Sequence, residues 1–342
     1  MRSHLYQMYF MSRKEGAVMN NSVFTSVIAQ YIEHKRNLGY KFQSAIWYLK
    51  QIEALTVEMK IDTLGISKEL SDEWCRKKDN EAESTRYLRI SILAQFSSYL
   101  NNNGIRSYVP ELPKNTSTFK PYVFSNVELK RIFYACDHLK IRGQFLQYAD
   151  SSMPVIIRLL YGTGIRIGEA LSLRNSDVDF TQKTLFIRDN KNGQERLIQL
   201  SDSLTDTCLQ YHEFKEVILG SQPDDSFFFI KRNRTKCSHS AVYENYRRIL
   251  YHANITHGGK GNGPRIHDFR HTFAVHALAK MAITGSDLYC TLPVLATYLG
   301  HKRLVSTDKY VRLTADMYPE LLGKMEKISS FVFLNQENDG TN

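Results

Sequence analysis

The stretch YGTGIRIGEALSL, residues 161–173, decides which fold the second part of the chain can adopt. Its glycines follow the apolar run VIIRLL, and this superficially matches the glycine-rich turn of a dinucleotide-binding βαβ unit. The crossover helix of such a unit would have to fit between Gly168 and Asn175, which is less than two turns. The next β-type run, moreover, continues through a hairpin turn into an antiparallel partner. The pattern therefore argues against a nucleotide-binding unit.

A charged pair inside this stretch points to a different chemistry. Arg166 and Glu169 are three residues apart, so they share a face if a helix begins here, and Glu169 can then hold the guanidinium in place. An oriented arginine at a helix start is suited to bind a phosphoryl oxygen through paired hydrogen bonds. The alternative is an ordinary surface arginine at a helix end.

The segment HDFRHTFAVHALAK, residues 267–280, carries a second cluster. His267 and Arg270 share one helical turn, and His271 packs beside them. The two histidines, at i and i+4, could instead be metal ligands. However, the glutamate of an HExxH motif is missing, Arg270 would place a cation beside the ion, and no nearby acidic cluster offers a third ligand. We therefore expect neither a metal nor another cofactor.

A third segment, YLGHKRLVSTDKYVRL, places Tyr310 nine residues after His301. Ser306 or Thr307 can cap a short helix that carries Tyr310. A tyrosine is by default a packing residue, and the chain has 20 of them. Tyr310 stands out because of the motif around it.

The rest of the chain is predicted to be helical apart from one β-hairpin. Helical periodicity marks three segments between about residues 22 and 104: SVIAQYIEHKRNLGY, AIWYLKQIEALTVEM and TRYLRISILAQFSSYLNNNG. Ser125 is a plausible helix cap. The run TLFIRDNKNGQERLIQL, residues 184–200, predicts a hairpin that turns at Asn192-Gly193, and SFFFI, residues 226–230, is strand-like.

These elements predict a mainly α fold with a small antiparallel β-sheet. The proline-rich segment PELPKNTSTFKP indicates a linker between two domains. The predicted parts are an N-terminal extension over 1–21, a helical domain over 22–112, a linker over 113–123, an α-rich domain over 124–334 and a polar tail over 335–342.

The composition favours a polyanionic partner. The 342 residues carry a formal charge of +10, and division at residue 120 leaves +5 on each side. A basic surplus of this kind suits nucleic acid, although ordinary solvated surfaces explain it equally well.

The five cysteines are scattered, with no CxxC pair, as in a cytosolic protein with reduced thiols. No apolar run is long enough to span a membrane.

Taken together, residues 22–333 resemble the tyrosine recombinase (phage integrase) family. Four motifs carry the resemblance in the family's order: TGIRIGEALSL, the hairpin lysine of NKNGQER, HDFRHTFA, and LGH followed by the tyrosine of DKYVRL. The resemblance implies that the N-terminal region is a SAM-like core-binding domain that clamps DNA. It implies that the second region is the catalytic domain.

The resemblance also implies roles for individual side chains. The implied catalytic set is Arg166, Lys191, His267, Arg270, His301 and Tyr310. The two arginines would bind the scissile phosphate, the two histidines would be the first and second active-site histidines, and Tyr310 would be the nucleophile. Glu169 and His271 match supporting positions. Lys191 would be the general acid, with Lys183 as a rival on the same hairpin.

This chemistry is coherent from first principles. A tyrosine that attacks phosphorus keeps the bond energy in a covalent intermediate, and guanidinium, imidazole and ammonium groups stabilise the charge without metal or ATP. The implied partners are double-stranded DNA with an inverted-repeat core site, three further copies of the chain in a tetramer, with exchange of the helix near 319–334, and an accessory recombinase or DNA-bending protein. The expected location is the cytoplasm, on the nucleoid. The alternatives are a type IB topoisomerase-like enzyme and a DNA-binding protein that does not cleave.

Overall fold

The computed structural model describes residues 22–40, 42–114, 120–139, 147–188, 195–259, 263–286, 288–301 and 305–318. The chain divides into two compact units, one within residues 1–119 and the other within 120–342. The predicted linker falls at this division, but residues 115–119 lie outside the described ranges. The exact domain boundaries therefore stay predictions.

In its described part, the first unit is a bundle of helices. These are α1 (Thr25–Asn37), α2 (Gln43–Glu58), α3 (Lys68–Cys75) and α4 (Glu83–Asn102). Their inward faces form one apolar core that includes Tyr31, Leu49 and Phe96. The three helices predicted from periodicity are confirmed.

The short helix α3 was not predicted. It has eight residues, and only Leu70 and Trp74 mark its buried apolar face, so its periodicity is too brief to stand out. The Ser67 hydroxyl caps it by accepting a hydrogen bond from the Leu70 backbone N–H at 3.1 Å. The Trp74 indole N–H donates to the backbone carbonyl of Arg89 on α4 and so ties the two helices together.

The second unit combines helices with a small sheet. Its helices in the described ranges are α5 (Asn126–Asp137), α6 (Gln147–Thr163), α7 (Ile167–Ala170), α8 (Asp202–Leu219), α9 (His239–His252), α10 (Asp268–Ile283), α11 (Leu288–Leu299) and α12 (Val305–Met317). The predicted cap at Ser125 is confirmed, since Ser125 and Glu128 form a reciprocal capping box. Helix α10 packs against α6, α11 and α12, so the motif 267–280 lies at the centre of the unit.

The strands β1 (Val178–Asp179), β2 (Thr184–Ile187) and β3 (Arg196–Gln199) form an antiparallel sheet in that order. In the β2–β3 hairpin Ile187 lies opposite Arg196. The predicted hairpin is therefore confirmed, but its turn, with Lys191, lies outside the described residues. The mainly α architecture with a small antiparallel sheet is confirmed as well.

The strand-like interpretation of SFFFI is wrong. Phe227 and Ile230 form only isolated bridges, to Arg174 and Lys236. The apolar character of the run reflects burial instead, because Phe228, Phe229 and Ile230 are each at most 1% exposed.

Among the described helices, none is both long enough and apolar enough to cross a membrane.

Candidate functional site

Tyr310 lies on α12 and is fully buried, at 0% exposure. Its ring packs in an apolar cluster with α10 and α11 residues such as Val275 and Leu299. Its hydroxyl oxygen lies 3.1 Å from Nδ1 of His271. The tautomer of His271 sets the direction of this hydrogen bond. The resemblance gave His271 only a supporting position, whereas the structure puts it in contact with the phenol.

Arg270 lies in the first turn of α10 and is 2% exposed. Its Nη1 donates to the carbonyl of Gly164 at 2.8 Å, and its Nη2 donates to the carbonyl of Leu299. Both acceptors are neutral, and within the described ranges Arg270 has no ion pair. A buried guanidinium held in this way is oriented but not neutralised, which suits it to meet an anion.

The conformation of Gly164 explains the glycine in the TGIR sequence. Its φ of +64° is a left-handed conformation, which strains other residue types. A Cβ atom here would lie 2.4 Å from the Phe273 ring and 3.0 Å from the Leu299 side chain. Only glycine allows the chain to turn so tightly while its carbonyl accepts the hydrogen bond from Arg270.

Arg166 precedes α7 and binds Glu169 as the sequence predicts. Its Nη1 donates to Glu169 Oε1 at 2.8 Å, while its backbone N–H donates to Oε2 at 2.9 Å. Its Nη2 reaches the carbonyl of Gly300 at 3.4 Å. The Arg166 side chain is 25% exposed, so this guanidinium opens to the surface beside the buried one of Arg270.

A third arginine, Arg196 on β3, was missed by the sequence analysis. Its Nη2 and Nη1 donate to the two carboxylate oxygens of Glu169, at 2.8 Å and 3.3 Å. Burial would raise the pKa of Glu169, but the hydrogen bonds from Arg196 and Arg166 prevail, and the pKa is lowered. Glu169 is therefore an ionised carboxylate shared by two guanidiniums.

His267 and His301 lie on either side of the pair formed by His271 and Tyr310. The His267 ring stands perpendicular to that of His271, with centroids 4.9 Å apart. The His301 ring stacks on Tyr310 with centroids 6.0 Å apart, and its Nδ1 lies 3.0 Å from the Thr307 hydroxyl. Thr307 and Ser306 lie inside α12, which begins at Val305, so the prediction that one of them caps this helix is wrong.

The sequence matches a protein-family model, described as the phage integrase family, over residues 123–317, which is more than half of the chain. The chain belongs to the phage integrase family. The resemblance inferred from the four motifs is thereby confirmed.

This integrase family protein is also similar to individual proteins. The chain is 28% identical over 235 residues to tyrosine recombinase XerC of Oceanobacillus iheyensis, and the aligned part covers 67% of this chain and 70% of the relative. It is 25% identical over 309 residues to y4rB of Sinorhizobium fredii, which is named as an integrase/recombinase, covering 90% and 98%. The solved structure of the Tn1549 transposon integrase with transposon right end DNA has a TM-score of 0.62 at 15% identity, covering 87% and 98%, and shares the fold.

The structure describes only one of the two hairpin lysines that the sequence analysis considered as the general acid. Lys191 lies outside the described residues. Lys183 lies before β2, at the open end of the hairpin, and its Nζ forms an ion pair of 2.6 Å with Asp202. Lys183 is thus paired with a residue outside the hairpin, and Lys191 stays the proposed general acid.

Lys309 is a cation beside the site that the sequence analysis did not single out. Its Nζ lies 5.1 Å from the centroid of the Tyr310 ring. Its position next to Tyr310 in the chain was the available signal.

Among the described residues, no group of three His, Cys, Asp or Glu side chains is arranged to hold a metal ion.

The three histidines are neutral at pH 7 in the free protein. Burial, reinforced by nearby cations, lowers the pKa of His267 to about 4, of His301 to about 3 and of His271 to about 2. Burial, followed by the charge of Arg166, also lowers the pKa of Arg270 to about 10, which leaves it charged. A bound phosphate would oppose this lowering, because an anion favours the protonated form of each histidine.

We predict that stability falls as the pH drops below about 6.5. The unfolded histidines bind protons there, at their ordinary pKa of 6.5, whereas the folded ones do not until about 4 or lower. Removing one group by His301→Gln should make the fall in the free energy of unfolding shallower. Urea unfolding at pH 7.5, 6.0 and 5.0 gives the free energy of unfolding of the wild type and of His301→Gln. If that free energy depends on pH equally in the two proteins, the lowered pKa of His301 is contradicted.

Proposed function

We propose that this integrase family protein is a site-specific DNA recombinase. It is a strand transferase that cleaves and rejoins DNA through a 3′-phosphotyrosyl intermediate at Tyr310, with neither metal nor ATP. The observation that supports this most strongly is the hydrogen bond of the Tyr310 hydroxyl to His271, beside the uncompensated guanidinium of Arg270. A nucleophile, a base and a cation within one buried cluster are the parts that phosphoryl transfer needs.

The proposed cleavage exchanges one phosphoester for another. The Tyr310 oxygen forms a bond to phosphorus, the bond from phosphorus to the 5′-oxygen breaks, and the phenol proton passes to His271. The 5′-oxygen takes up a proton from Lys191 and leaves as a hydroxyl. Rejoining runs the same steps backwards, with a 5′-hydroxyl of another strand as the attacking group. No bond energy is lost to water, so no nucleotide cofactor is required.

The electrostatics of the cluster favour this reaction over simple binding. Burial raises the pKa of Tyr310, while the charges of Arg270 and Arg166 oppose the rise. The phenol is therefore protonated in the free protein and becomes reactive only where a base and cations act together. The same guanidiniums stabilise the negative charge that spreads over the phosphate oxygens in the transition state.

The burial of Tyr310 makes cleavage depend on DNA binding. An oxygen on a side chain with 0% exposure cannot meet a phosphate until the packing around it opens. The two neighbouring cations, Arg166 and Lys309, are the accessible ones. We propose that the backbone phosphate first engages these cations and that α12 then shifts to release the phenol.

The first unit is proposed to be the core-binding domain. Helix α4 presents hydrogen-bonding side chains at successive turns, and with α1 it lines an open cavity of about 350 Å³. The polar and basic lining residues include Lys35, Ser91, Gln95 and Asn102. Side chains of these types donate to phosphates and to base edges, which suits this face to double-stranded DNA.

The remaining partners are part of the same proposal. Two paired inverted-repeat sites require four protomers, so the working form is a homotetramer on DNA, with an accessory recombinase or DNA-bending protein where the site demands one. Exchange of the helix near 319–334 between protomers stays a prediction, because these residues lie outside the described ranges. The proposed place of action is the nucleoid in the cytoplasm.

A cleavage assay with the full-length chain tests the proposal. The substrate is a nicked duplex built from inverted repeats that flank the gene, and the buffer contains EDTA and no ATP. We expect a covalent protein–DNA adduct in denaturing gels on this duplex but not on a scrambled one. Relaxation of any supercoiled plasmid without a specific site would favour the topoisomerase alternative. Binding without any adduct would favour a non-cleaving DNA-binding protein.

A further inference from the structure

The C-terminal end of α11 meets three arginines through three consecutive carbonyl groups. The carbonyl of Tyr298 accepts a hydrogen bond from Arg196 Nε at 2.9 Å. The next carbonyl, of Leu299, accepts one from Arg270, and the one after it, of Gly300, accepts one from Arg166 at 3.4 Å. Two of these arginines belong to the predicted site, and Arg196 does not.

The convergence follows from how the helix ends. The last carbonyls of a helix lack partners within it and carry partial negative charge. In α11 the carbonyls of Ala296 and Thr297 are satisfied by the backbone N–H groups of His301 and Gly300. The carbonyls that follow are left for side chains, and guanidiniums are the donors that reach them.

Arg196 is built into this arrangement on a second side as well. Its Nη1 and Nη2 grip both oxygens of Glu169, the carboxylate that also holds Arg166. Its side chain is only 10% exposed, and its Nε, Nη1 and Nη2 all donate to protein acceptors. An arginine so engaged is poorly placed to bind phosphate itself. It can act only through the groups that it holds.

The other arginine of the hairpin provides a contrast. Arg188 follows β2, next to Ile187, which lies opposite Arg196 across the hairpin. Its side chain is 51% exposed and pairs with Asp177 rather than with Glu169. The two arginines thus lie at the same level of the hairpin, but only Arg196 turns toward the predicted site.

We propose that Arg196 is a positioning residue for strand transfer. It clamps Glu169 to the end of α11 and thereby fixes Arg166, through Glu169 and Gly300, relative to Arg270, which is held by Leu299. This inference rests on the proposed function, because it assigns a role within that reaction. Fixing two guanidiniums to each other matters because an error of about 1 Å in such a site costs up to about 100-fold in rate.

Single-turnover cleavage by Arg196→Gln, measured at saturating DNA, tests the proposal. We expect the rate of adduct formation to fall about 10- to 100-fold while half-saturation stays within about twofold, because Arg196 does not touch the DNA. Arg196→Lys keeps the charge but loses the planar guanidinium that donates to several acceptors at once, and it should recover only part of the rate. Arg188→Gln is the matched control and should cleave like the wild type.

A double-mutant cycle separates positioning from general destabilisation. Because Arg196 acts through Glu169, the variant Arg196→Gln/Glu169→Gln should cleave no more slowly than the slower single variant. Additive losses would overturn the proposal, as would a wild-type rate in Arg196→Gln. If Arg196→Gln does not fold, Arg196→Lys decides, and a wild-type rate there overturns the proposal. The wild-type adduct tests the proposed function separately, since it can form whatever the outcome for Arg196.

Discussion

Tyr310→Phe is expected to abolish the covalent protein–DNA adduct and to leave DNA binding intact. Phenylalanine keeps the buried ring in its apolar cluster and removes only the oxygen that forms the new bond to phosphorus. The hydrogen bond to His271 is also lost, at a cost of about 1 kcal/mol in stability. Tyr298 and Tyr318 pack against the same cluster, but the hydroxyl that contacts His271 is that of Tyr310. We therefore expect no adduct above background on a nicked duplex in denaturing gels. Gel-shift titration measures binding.

The chain offers a matched control in a second pair of tyrosine and histidine. The Tyr161 hydroxyl lies 3.1 Å from Nδ1 of His276, which is also on α10. Tyr161→Phe therefore removes the same kind of hydrogen bond to a histidine of the same helix, but not one to His271. It should form the adduct at close to the wild-type rate. Persistent adducts with Tyr310→Phe would refute the assignment of the nucleophile.

Arg270→Lys is expected to produce the second largest loss. Lysine keeps the positive charge, but a single ammonium cannot span the Gly164 and Leu299 carbonyls and still face the phosphate. Loss of one oriented donor to a developing oxyanion typically costs about 100- to 1000-fold. We expect single-turnover cleavage to fall by that factor. Half-saturation should change much less, because most affinity for DNA comes from many phosphate contacts.

Arg158→Lys is the control for Arg270→Lys. Arg158, on α6, also uses two nitrogens, donating to both oxygens of Asp137 at 2.9 Å and 2.6 Å, but this pair is partly exposed. Substitution there should leave cleavage unchanged, since surface ion pairs contribute little. A variant Arg270→Lys that cleaves within a few-fold of wild type would contradict the role of the oriented guanidinium.

Much of the fold could be predicted because the hydrophobic periodicity is regular. The long helices of the first unit have extended buried faces, and Asn192-Gly193 between two β-type runs indicated the hairpin. The errors lie where local pattern and burial diverge. Helix α3 is too short to show a period, and the run SFFFI is apolar because it is buried, without forming a strand.

The site was predicted in its residue types but not in its partners. Spacing along the chain indicated that Arg166 and Glu169 share a face, and the structure places them 2.8 Å apart. It could not indicate that Arg196, from a distant strand, would bind the same carboxylate. Nor could it reveal which backbone carbonyls hold the guanidiniums, because backbone acceptors leave no signature in the sequence. The contact of His271 with the phenol is likewise set by packing between helices.

The covalent attachment site is the measurement that tests the central claim most directly. The adduct is trapped on the nicked duplex, digested with nuclease and with a protease that cuts before aspartate, and analysed by mass spectrometry. The account predicts a nucleotide linked through its 3′-phosphate to Tyr310, in the peptide of residues 308–315. A nucleotide on any other residue, or a linkage through a 5′-phosphate, would contradict it.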